Sequence, residues 1–142
     1  MSQENKQLIR KLEEAWSKSD LDAIDGFFAP DFDNSATAIP GLPPGIEGAK
    51  MAHQGAMQSF PDRKTVIEDL LADGDKVMIR GRFIGTNQGG VPFLNVPANG
   101  NSTDVAFVSI YTIRDGRIVE HWGLNDAVAL MQQLGAMPAP TG

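Results

Sequence analysis

Residues 103–124 read TDVAFVSIYTI, then RDG, then RIVEHWGL. Apolar and polar residues alternate on both sides of Asp115-Gly116, a dipeptide suited to a two-residue hairpin turn. The stretch predicts two long antiparallel strands, and period two sorts their side chains. Val105, Phe107, Ser109, Tyr111 and Ile113 share one face of the first strand. On the second, Val119, His121 and Gly123 share one face, and Ile118, Glu120, Trp122 and Leu124 share the other. NDAVALMQQLG follows at 125–135. It predicts a short helix capped by Asn125 or Asp126 and ended by Gly135.

Toward the N-terminus, KTVIEDLLA (64–72) and KVMIRGRFIG (76–85) also read as strands, joined at a DGD turn. Val77, Ile79, Gly81 and Phe83 share one face of the latter, and Met78, Arg80, Arg82 and Ile84 the other. TNQGGVPFLNVPANGNS (86–102) is a Gly/Asn/Pro-rich excursion containing a β-arm or bend.

Helical spacing dominates earlier still. Residues 3–18 carry Leu8, Ile9, Leu12, Ala15 and Trp16 at steps of one, three and four, which marks an amphipathic helix. SDLDAIDGFF (19–28) predicts a second, short helix, capped by Ser19 or Asp20 and bounded by Pro30. PDFDNSA (30–36) reads as a short extended piece. IPGLPPGIEG (39–48), with three prolines and three glycines, reads as a loop. It is either a rigid connector or, over 40–45, a lid at the rim of a cavity. Helical spacing resumes through Ile46, Met51 and Met57 and stops at Pro61.

Helices, then a run of antiparallel strands, then a terminal helix make an α+β fold. A long antiparallel sheet curling around the helices forms a cone with an interior. The strand pair 103–124 carries apolar residues on both faces, so both faces are covered. Helices cover one. A second copy of the chain is the expected cover of the other, which predicts a homodimer or higher homo-oligomer. The alternative is the terminal helix folding back over that face.

The chain has 142 residues, a net charge of −6, no cysteine, two histidines and two tryptophans. The length fits one domain, 1–142, with a loose tail at 136–142. Without cysteine there is no disulfide, thiolate metal site or cysteine nucleophile. No basic stripe suits nucleic acid. The opening MSQENKQLIRKLEE has no apolar signal region, and no run approaches the ~18 apolar residues of a membrane span. The expected location is cytoplasmic, with neither nucleic acid nor membrane as partner.

His121 is the first candidate site residue. It is either a core histidine satisfied by a neighbour or an acid/base group facing Ser109 or Phe107 across the hairpin. A face with one His, one Ser, one Tyr and apolar neighbours suits a mostly apolar pocket. Asp126 reads as a cap rather than a base, because a helix N-terminus favours its ionised form. Trp16 is core or pocket wall. His53 stands alone on its helix, and no histidine pair has ligand spacing, so no metal is expected. GTNQGG opens no helix and is a weak phosphate loop. Ser109 lacks the context of a hydrolase nucleophile.

RDGRIVEHWGLNDAVALMQQLGA (114–136) resembles the C-terminal signature of SnoaL-like polyketide cyclases, also called ester cyclases. FFAPDFDN at 27–34, GIEG and FPD between Gly45 and Asp62, and RGRFIGTNQG at 80–89 add to it. The resemblance spans nearly the whole chain. It implies a nuclear transport factor 2-like cone, dimeric or higher, that closes a ring of an aromatic polyketide ester by intramolecular aldol condensation. It implies no metal and no organic cofactor. The family's strand histidine matches His121, its first-helix aromatic residue Trp16, and its pocket asparagine Asn34. The catalytic aspartate, two residues after the histidine, falls at Gly123. A second pocket histidine falls at Ser109, and the common GTH appears as Gly85-Thr86-Asn87. Asp126 matches a family-wide aspartate read as structural.

The expectation is a cyclase-type enzyme acting by acid/base chemistry on a small apolar carbonyl compound. His121 is catalytic. Trp16, Asn34, Phe107, Ser109, Tyr111 and Gly123 bind substrate. The alternative is a binding module for a small hydrophobic molecule, without turnover. Epoxide hydrolysis needs an Asp–Arg–Asp set. Arg80 or Arg82 supplies a cation, but no flanking pair of inward aspartates is evident. An association domain with an empty cone is the remaining reading.

Overall fold

The computed structural model describes residues 2–34 and 41–138. Helix α1 (Ser2–Ser17) is followed by the single turn α2 (Leu21–Ile24) and strand β1 (Phe28–Asp33). Helix α3 (Gly45–Ser59) leads to β2 (Lys64–Asp73), β3 (Lys76–Thr86), β4 (Ser102–Arg114) and β5 (Arg117–Asn125), and α4 (Ala127–Gln133) ends the order. The strands form one five-stranded sheet in the order β1-β5-β4-β3-β2. Neighbours are antiparallel except β1 and β5, which run parallel. The expected all-antiparallel run is corrected there: helix α3 and three further strands separate the two, so β1 needs no hairpin to its neighbour.

The core sits between α1 and the concave face of the sheet. Ile9, Leu12 and Ala15 pack with Val77, Ile79, Tyr111, Ile113 and Ile118. Burying each large aliphatic side chain contributes about 1.5–3 kcal/mol. Asp20 Oδ1 accepts from the Ala23 amide and Asp126 Oδ1 from the Ala129 amide, so both aspartates cap their helices as expected. Asp115 and Gly116 carry φ of 51° and 73°, the left-handed pair that a tight hairpin with matching twist requires.

Alternation fails at one place on β5. The register shifts between Thr112 and Ile113, so Ile113 faces Ile118 while Thr112 faces Glu120. Val119 is the extra residue of a β-bulge. Ile118 therefore turns into the core with no exposed surface, instead of joining Glu120, Trp122 and Leu124 outside. His121 stays inward, directly opposite Tyr111.

The 86–102 excursion is a bend. Val91 bridges Val96 around a short turn at Pro92–Leu94. Asn87, fully buried, organises it, donating to the Pro97 carbonyl and Asn99 Oδ1 and accepting from the Gly90 amide. Leu134 of the segment after α4 packs on Phe60, Val91 and Val96. The terminal segment thus closes this end and leaves Trp122 and Leu124 exposed at 42% and 66%. Of the tail, Ala136 and Met137 bond back to the Met131 carbonyl, and 139–142 lie outside the described residues. No described helix is long and apolar enough to cross a membrane.

Candidate functional site

His121 Nε2 lies 3.1 Å from Ser109 Oγ. Its ring stacks on Tyr111, with centroids 4.7 Å apart and planes 13° from parallel. The bulge at Val119 produces this arrangement, because it lets Ile118 fill the core while His121 keeps the inward register. Burial pushes the His121 pKa down to about 4, so the imidazole is neutral at neutral pH. Gly123 faces Ser109 and places no side chain beside it.

Tyr111 continues the chain of polar contacts. Its hydroxyl donates to Glu13 Oε1 at 3.5 Å, a long bond. Burial first, then the neighbouring Glu13, hold the phenol well above its ordinary pKa. Burial raises Glu13, opposed by Arg63 and by the Tyr111 bond. Arg63, half-buried, lies 5.7 Å from the Phe83 ring centroid and donates through Nη1 to His53 Nδ1 at 3.1 Å. A guanidinium only donates, so His53 Nδ1 accepts and the proton sits on Nε2. Nε2 then donates to Ser19 Oγ at 3.1 Å. Burial, then Arg63, bring His53 down to about 4.

Two cavities adjoin this second half of the network. One, of about 20 Å³, is lined by Glu13, Trp16, Ser17, Met57, Arg63 and Thr65. That is room for about one water. An open cleft of about 450 Å³ is lined by Ser19, Leu21, His53, Gln54, Met57 and Gln58. Met57 is a wall of both.

Comparison with known proteins decides the family. The family model for SnoaL-like polyketide cyclases matches residues 6–134. The chain belongs to the SnoaL-like polyketide cyclase family. Among solved structures it is similar to TsrD from Streptomyces laurentii, with 29% identity, TM-score 0.83, and 94% of this chain and 96% of that one covered. IdmH from Streptomyces antibioticus, a proposed polyketide cyclase, shares 31% identity at TM-score 0.76, covering 92% and 98%. AclR from Streptomyces galilaeus, a proposed hydroxylase, shares 25% at TM-score 0.84, covering 99% and 87%. No curated protein matches the chain. The nuclear transport factor 2-like cone expected from the sequence is the fold observed.

Within this family member the expected residues fall into different places. Ser109, Tyr111 and His121 meet. Trp16 lines the small cavity and lies 4.7 Å from the His53 ring, centroid to centroid. Phe107 packs against the core from β4, beside Gly81. Asn34 is buried and clamps the start of α3, accepting from the Gly45 amide at 3.0 Å and donating to the Gly45 carbonyl at 3.2 Å. It ties one end of the 40–45 loop, of which Pro40 lies outside the described residues. Arg80 and Arg82 point outward into ion pairs with Asp69, and with Glu68 and Asp104. They supply no cation to the interior.

Glu13 and Arg63 are not among the residues the sequence singles out, and His53 enters there only as a lone helix histidine. Glu13 sits in a charged run, KLEE, and looks solvated. The described hydrogen-bond partners of His53, Ser19 and Arg63, come from the α1–α2 and α3–β2 connections. A helical-wheel reading that places Ile9, Leu12 and Trp16 inward puts Glu13 on the edge of the same face. That was the available signal. Among the described residues no group of three or more His, Cys, Asp and Glu side chains suits a metal ion.

Proposed function

We propose that the protein is a cyclase-type enzyme of its family that moves a proton beside the carbonyl of a small, largely apolar compound, such as a polyketide ester. The observation that carries this reading is the inward His121, held by Ser109 and stacked on Tyr111. The proposed polyketide cyclase among the structural neighbours supports the same class of chemistry. Gly123 stands where the resemblance puts the catalytic aspartate, and His121 is the replacement base. A neutral imidazole takes the proton, the electron pair moves onto the carbonyl oxygen, and the imidazolium returns the proton at the end of the cycle. The partner copy in a homodimer covers the outer sheet face. Leu71, Met78, Ile110 and Trp122 pair across four strands there in one apolar row.

Deuterium incorporation beside the carbonyl of a panel of aromatic β-keto esters, followed by NMR in heavy water, tests the reading. Protein-dependent exchange that His121→Ala slows by about 10²–10⁴ supports it. Compounds that bind but do not exchange sink it, and leave the binding module.

A further inference from the structure

The small cavity is lined by a cation to which, among the described residues, no carboxylate is bonded. Arg63 is half-buried and lines the small cavity. Its described hydrogen bond goes to a neutral acceptor, His53 Nδ1. Among the described residues it makes no ion pair within 4.0 Å, and Glu13 acts on it through space. The other arginines with described ion pairs, Arg80, Arg82 and Arg114, lie on exposed surface. A guanidinium has five N–H donors in a planar fork; the described bond uses one nitrogen of it, Nη1, and the residue lines the cavity. A half-buried charge without a bonded counter-charge carries part of the cost of a buried one, and an anion that enters offsets it.

We propose that Arg63 binds the ionised oxygen of the protein's ligand, a phenolate, enolate or carboxylate oxygen, while the ligand's body lies in the adjoining cleft. The dimensions fit this division. The small cavity holds about 20 Å³, one oxygen or water, and the cleft about 450 Å³, a ring system. Met57, a flexible side chain, is the shared wall and the natural gate between them. Trp16 lines the small cavity and His53 the cleft, and their rings meet at a tilt of 34° with centroids 4.7 Å apart. Glu13, beside the same cavity, opposes the anion and keeps the site from holding it irreversibly. The inference rests on the cone being a small-molecule site and does not depend on His121 chemistry.

4-Nitrophenol is the probe, because its phenol and phenolate absorb at different wavelengths. Titrated into the full-length protein across pH, it is expected to ionise at lower pH when bound than when free. Arg63→Met should weaken phenolate binding about tenfold or more and return the bound probe's ionisation to that of the free probe. 4-Nitroanisole, which has no ionisable oxygen, should be indifferent to the substitution. Should Arg63→Met fail to fold, Glu13→Gln answers in the opposite direction: it removes the competing carboxylate, so phenolate should bind severalfold tighter. No binding by the wild-type protein, a neutral bound probe, or unchanged binding in these variants overturns the inference. Deuterium exchange without phenolate binding would overturn this inference alone; phenolate binding without exchange would overturn only the proposed reaction.

Discussion

Tyr111 donates its hydroxyl to Glu13 Oε1 across 98 positions of sequence, and its ring stacks on His121. One side chain thus joins two polar groups, His121–Ser109 and Glu13–Arg63–His53. Glu13 is the carboxylate that this tyrosine reaches.

Tyr111→Phe should uncouple the two groups while keeping the ring stack. Glu13 loses a bond that lowers its pKa, so that pKa should rise further, readable by carbon-13 NMR of the carboxyl. The bond is long, so the stability loss should stay at or below about 1 kcal/mol. A Glu13 pKa that falls would contradict the arrangement.

Acid should destabilise the fold through both histidines. Each ionises at about 4 in the native state against an ordinary 6.5. The unfolded chain binds protons first as pH falls. The stability carried by the neutral imidazoles is fully present above pH 6.5, is lost as pH falls toward 4, and falls no further on their account below that. Thermal melting at a series of pH values checks this. His53→Gln should flatten the slope within that window, because it removes one of the two titrating groups.

Gly81 should not tolerate alanine. An added Cβ would stand 2.5 Å from the Val66 carbonyl oxygen and 2.9 Å from the Phe107 ring. The cost should be about 1–3 kcal/mol in urea unfolding, with Phe107 displaced. Alanine at Gly55, where nothing lies within 4 Å, is the control and should stabilise slightly because it sits in α3.

Trp122→Glu should leave the monomer folded and break the proposed dimer. Trp122 is 42% exposed and ends the apolar row on the outer face. Sedimentation equilibrium should show a dimer for the native chain and a monomer for the variant. A native monomer at high concentration would remove the dimer from the account.

What the sequence by itself determined is local. The Asp115-Gly116 turn and the capping aspartates are set by residues within a few positions of one another, and they appear where the pattern puts them; strand periodicity holds except where the register shifts. The family followed from the same stretch. What only the tertiary structure decided is which distant residues meet. A one-residue bulge at Val119 turned Ile118 inward, and no local pattern announces a bulge. The parallel contact of β1 with β5 depends on the path of the intervening chain. Asn34, expected to face a ligand, hydrogen-bonds the backbone of Gly45. Glu13, Arg63 and His53 look unremarkable one at a time; folding brings them together, and burial is what raises Glu13 and lowers Arg63 and His53.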